Sequence, residues 1–131
     1  MDYNLNHNWK ILDQLTNEQK EKCEFLCNAI CPPACSTRKK HYILNSQYNL
    51  NFGKHYTVPY CGIQYGTVSP QVKASPNTIT YEEIRDIYEP KGFCHFKLEG
   101  RTFSSQTQIL IYAEYMIKPE YKSLFIDYML K

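Results

Sequence analysis

Two cysteines separated by three residues, Cys31-Pro32-Pro33-Ala34-Cys35, are the residues whose type and spacing most readily support chemistry in this chain. Thiolates are the ligands that iron–sulfur clusters and zinc select. Three intervening residues let two sulfurs reach one centre. The two prolines remove backbone donors and disfavour helical geometry before them, so the segment is expected to be a loop. Cys61, between Tyr60 and Gly62, is the best third ligand, and no fourth stands out. A second constellation is Glu99-Gly100-Arg101. Arg101 offers a planar fork suited to a carboxylate or phosphate, and Glu99 could pair with it or serve as a base. The plainer reading of Glu99 is an ion pair with Arg101 or Lys97.

The remaining cysteines read as packing. Cys23, Phe25 and Cys27 alternate as strand neighbours facing one core, and Cys94 within a second strand reads as a core thiol. A helical reading of the first segment would instead align Cys23, Cys27 and Cys31 on one face. Zinc is the alternative metal, with His41 and His55 as nitrogen ligands. Structural zinc sites usually show cysteine knuckles in pairs, and only one clear pair exists here. Surface or hydrogen-bonded roles are the plainer reading of both histidines. There is no Gly-rich phosphate loop, no Gly-x-Ser-x-Gly elbow and no His-Glu-x-x-His helix. No spacing selects a cysteine–histidine catalytic pair.

The elements that must position these groups follow from periodicity. Trp9, Ile11, Leu12 and Leu15 predict a short amphipathic helix over Asn8 to Leu15, followed by a polar stretch, Thr16 to Lys22. A strand is expected at about 23–28, then the cysteine loop, 28–42. Ser36 or Thr37 caps a helix running to about Leu50. The basic run Arg38-Lys39-Lys40-His41 reads as a solvated helix face. Residues 51–77 form a long irregular segment. Thr80 with Glu83 is a capping-box signature for a helix with Ile84 and Ile87 facing the core, ending before Pro90. Phe93 to Leu98 reads as a strand with Phe96 and Leu98 on one face and His95 and Lys97 on the other. Ser104 or Ser105 caps a helix from Gln106 to Ile117, and Pro119 opens another from Glu120 to Leu130. Strands alternating with helices point to parallel βα units in a single α/β domain spanning 1–131.

Composition bounds the function. The chain has 131 residues, 12 of them tyrosine, and a net charge of +2 from 15 basic and 13 acidic residues. That balance gives no electrostatic case for nucleic-acid binding. No stretch approaches the roughly 18–20 apolar residues of a membrane span, and no signal segment opens the chain. The expected compartment is the cytoplasm, where thiols stay reduced and six cysteines are more naturally ligands or buried residues than disulfides.

Phe93-Cys94-His95-Phe96-Lys97-Leu98-Glu99-Gly100-Arg101 resembles a strand-end motif of the collagenase-like peptidase U-thirty-two family and its bacterial relatives. Lys118-Pro119-Glu120-Tyr121-Lys122 is similar to a stretch in their final helix. The run from Asn28 through Cys31, Cys35 and Arg38 to His41-Tyr42 is similar to the family's segment of asparagine, paired cysteines, arginine and His-Tyr. Asp2-Tyr3-Asn4-Leu5-Asn6 fits the end of a preceding strand. The resemblance spans nearly the whole chain. It implies the C-terminal half of a TIM-type (βα) barrel with C-terminal helices, since a complete barrel needs roughly 200 residues or more. It further implies a four-iron iron–sulfur cluster and a part in hydroxylation of RNA bases or of a quinone precursor. A half barrel exposes sheet edges, so an N-terminal half-barrel chain or a second copy of the protein is the expected partner. The alternatives are a non-enzymatic half-barrel subunit and a zinc-stabilised binding module.

Overall fold

The computed structural model describes residues 1–50, 75–100 and 103–131. Cys61, His55, Arg101 and most of the irregular segment lie outside the described residues. The elements are α1 (Trp9–Leu12), α2 (Asn17–Glu21), β1 (Glu24–Leu26), α3 (Arg38–Leu50), α4 (Tyr81–Glu83), β2 (His95–Lys97), α5 (Ser105–Met116) and α6 (Lys122–Met129). Short 3-10 turns at Tyr3–Leu5 and Pro119–Tyr121 precede α1 and α6, and a π-helical turn at Ile84–Tyr88 follows α4.

The two strands pair in parallel with Phe25 opposite Phe96, as expected of an α/β chain. The ladder runs one residue further, because the Cys27 amide donates to the Lys97 carbonyl at 2.9 Å. The Cys27 carbonyl in turn accepts the Ile79 amide at 2.9 Å. Both backbone groups of buried Cys27 are thus paired, as buried backbone groups must be.

Period-two alternation sends Phe25 and Cys27 into a core with Leu12, Ile79, Tyr88 and Phe93. The ring of Phe25 meets Tyr88 at 5.1 Å and Phe93 at 5.0 Å, both edge-on, the favoured aromatic geometry. Glu24 and Lys97 emerge on the opposite sheet face and pair at 3.3 Å. Lys97 is therefore the partner of Glu24 and not of Glu99.

Local chemistry sets the helix starts. Thr80 and Glu83 form the expected capping box, and Ser104, rather than Ser105, caps α5 by accepting the Thr107 amide. Four expectations need correction. The polar stretch after α1 is itself the helix α2, opened by a second capping box from Thr16 and Gln19. Ile87 is exposed and Tyr88 takes its place inside. The cause is the π-helical turn, in which the Glu89 amide reaches back five residues to the Ile84 carbonyl and shifts the phase of the buried face. Residues 3–5 form a 3-10 turn and not a strand end. Cys94 is exposed, because Phe93 beside it points inward.

Cys27 is a core thiol as the alternation required, and burial pushes it up from 9.0 to about 12. The folded chain then keeps this proton over a range in which the unfolded chain releases it. That contribution to stability is whole below pH 9.0 and is lost as pH rises toward about 12. Burial shifts the Tyr88 and Tyr115 phenols in the same direction. The thermal unfolding midpoint is expected to fall steadily over that alkaline window, and a flat midpoint would contradict the burial of these groups.

Candidate metal centre

Because β1 and β2 are parallel, both chains leave the sheet at the same end. The cysteine turn follows β1 and Glu99 follows β2. Asn28, fully buried, binds the two exits together: its amide nitrogen donates to the Glu99 carbonyl and its oxygen accepts the Glu99 amide, each at 2.8 Å. The Glu99 carboxylate then accepts the Ile30 amide at 2.8 Å. Glu99 therefore fastens the start of the cysteine turn to the end of β2.

The turn is fastened from below as well. Tyr3, only 4% exposed, donates its hydroxyl to the Pro32 carbonyl at 2.8 Å and accepts the Cys35 amide at 3.4 Å. The Ala34 amide donates to Asn4 Oδ1 at 2.7 Å, and the Ser75 hydroxyl donates to the Cys31 carbonyl at 3.3 Å. Ala34 sits at φ 50°, the left-handed region that side chains other than glycine rarely adopt. Surrounding bonds of this kind are what hold such a conformation.

Arg38, the first residue of α3, turns back onto the Cys31 thiol. Its Nη1 donates to Cys31 Sγ at 2.9 Å and its Nη2 to the Tyr42 hydroxyl at 3.0 Å. The guanidinium lies 4.2 Å from the Tyr3 ring centre and 4.9 Å from that of Tyr42. The basic run is therefore not uniformly solvated: Lys39 and Lys40 are exposed, whereas Arg38 is held between two rings. Cys35 Sγ lies 3.3 Å from the Thr37 hydroxyl. Burial pushes the Cys31 thiol up, and the Arg38 guanidinium pulls it down. Burial works against the charge on Arg38, but Cys31, Tyr42 and Glu99 together hold the guanidinium above its ordinary value.

The structure thus brings Cys31, Cys35 and Glu99 to one end of the sheet. Neither sulfur is sealed among aliphatic side chains. The donors present fit a thiolate-bound metal in part: two sulfurs share one turn beside a cation and the N-terminus of α3, where negative charge is favoured. Among the described residues no group of three His, Cys, Asp or Glu side chains is placed to hold a metal ion. Cys61 lies outside that set. Sequence reasoning missed Arg38, Tyr3, Asn4 and Asn28. Only the asparagine and arginine had any signal, through their positions in the cysteine segment. Beside the turn, a cleft of about 680 Å³ opens over the polar sheet face between α3 and α5, lined by Glu24, Lys97, Glu99, Tyr42, Gln108 and Tyr112.

Among the described residues, no helix is long and apolar enough to cross a membrane. No protein-family model, curated protein or solved structure matches the chain.

Proposed function

We propose that this chain is an iron–sulfur protein in which the thiolates of Cys31 and Cys35 are cluster ligands, with Cys61 as the third. The observation that carries the reading is the Arg38 guanidinium on Cys31 Sγ, on a turn built at the carboxyl ends of two parallel strands. Loops at such strand ends are where parallel α/β folds place their sites. A four-iron cluster with its thiolates is an anion. A helix that opens with Arg38-Lys39-Lys40 and no acidic residue in its first turn places cations at its positive end, which disfavours the helix unless negative charge sits nearby. Hydrogen bonds to ligand sulfurs are also a recognised means of tuning such clusters.

The fold in this reading is part of a TIM-type barrel of the peptidase U-thirty-two kind. The reaction is hydroxylation of an aromatic ring, in an RNA base or a quinone precursor, and the bound cluster supplies electron transfer. In this reading Glu99, just after β2, serves as a base, and Arg101, two residues on in the sequence, supplies an anion-binding fork. A reducing compartment such as the cytoplasm suits the free thiols of Cys23, Cys27, Cys31 and Cys94.

Anaerobic purification followed by iron and acid-labile sulfide assay tests the proposal. The wild-type chain is expected to hold both in equal amounts, and Cys31→Ser or Cys35→Ser to lose them. A protein with neither sinks the reading, and one with stoichiometric zinc instead replaces it with a structural zinc module.

A second reading has its own observation. Among the described residues no strand pairs with the outer edge of β2, and two strands alone make a marginal sheet. In this reading, the chain is a non-enzymatic half-barrel subunit that adds its edge to an N-terminal half-barrel chain or to a second copy.

A further inference from the structure

We propose that Tyr3 is the positioning residue of the thiol turn. Its hydroxyl sets the spacing of Cys31 and Cys35, and its ring holds Arg38 on Cys31. The inference deepens the metal-site reading and rests on it. The Tyr3 hydroxyl spans the turn, giving its proton to Pro32 just after the first cysteine and taking one from the amide of the second. Asn4, next in the chain, takes the Ala34 amide at the residue with positive φ. The face of the Tyr3 ring carries the guanidinium that reaches Cys31 Sγ. One buried side chain therefore controls both the separation of the sulfurs and the cation beside one of them. A bidentate thiol site of fixed spacing loses less conformational freedom on closing around an ion than a floppy one.

Phenylarsenoxide tests this on the metal-free, reduced chain. Its As=O bond is exchanged for two As–S bonds. The two thiol protons leave with the oxygen as water, and the arsenic stays trivalent. Capture is therefore tight only where two thiols stand close. The wild-type chain is expected to bind one equivalent in a manner lost in Cys35→Ser. Tyr3→Phe keeps the ring under Arg38 and removes both hydroxyl bonds. It should bind about tenfold more weakly, the effect of two net hydrogen bonds, with an unchanged far-ultraviolet spectrum. Tyr3→Leu, which also removes the ring, should be weaker still. Asn4→Ala, at an exposed position, should weaken capture about threefold and decides the matter alone if the Tyr3 variants do not fold. Tyr3→Phe and Asn4→Ala binding as tightly as wild type, or wild type binding no better than Cys35→Ser, overturns the proposal. A chain that captures the arsenical in this pattern yet holds no iron keeps Tyr3 in its role and removes the cluster. A chain that holds iron while Tyr3→Phe is indifferent does the reverse.

Discussion

Phe25→Ala is expected to remove about 3–5 kcal/mol of stability, the usual cost of deleting a buried phenylalanine. Phe25 is fully buried at the centre of the core, with Tyr88, Phe93 and Phe96 ring centres at 5.1, 5.0 and 6.1 Å. Tyr88 ends the π-helical turn, Phe93 precedes β2 and Phe96 lies within it, so closing the void would require moving β2 against β1. A domain of this size is held by roughly 5–15 kcal/mol, so this single change takes a large share of the total. Urea denaturation followed by far-ultraviolet dichroism reads the result. A midpoint within error of wild type would mean that the aromatic cluster is not the core.

The second large effect is expected at Asn28. Asn28→Ala leaves the Glu99 amide and carbonyl without partners in a part-buried position. Each of the two orphaned groups costs about 1–3 kcal/mol, so a loss of about 2–6 kcal/mol is expected. The distinctive consequence is positional. With Asn28 gone, the exit of β2 is no longer fastened to the exit of β1, and the Glu99 carboxylate loses its register with Ile30. In the proposed cluster-bound form, iron retention should therefore fall at temperatures where dichroism still reports a folded chain. A stable Asn28→Ala protein with undiminished iron would show that the two strand exits need not be joined for the site to form.

Much of this could be read from the sequence where short-range chemistry decides. Thr80 with Glu83 acts over three residues and formed the expected box, and of the two serines that could cap α5, Ser104 does so. Alternation around Phe25 placed Cys27 inside, and the βα order implied the parallel pairing. What failed did so for physical reasons. Thr16 and Gln19 carry the same capping logic, but their polar helix has no buried residue and so no apolar stripe to betray it. Ile87 was displaced by a change of helical pitch that no fixed period can anticipate. Cys94 lost the inward position to the larger Phe93 beside it. The ties that shape the candidate site, from Tyr3, Asn4 and Asn28, are single side chains meeting backbone 29, 30 and 71 residues away. No pattern along the chain encodes such a meeting.

The separation of 71 residues between Asn28 and Glu99 also bears on the order of events during synthesis. Contacts so distant along the chain carry a loop-closure cost and form late, which slows folding. On the ribosome the two cysteines emerge well before Glu99, which fastens the start of their turn to β2. The turn's ties to Tyr3, Asn4 and Arg38 can close in that interval, and the tie to Glu99 closes only once β2 arrives.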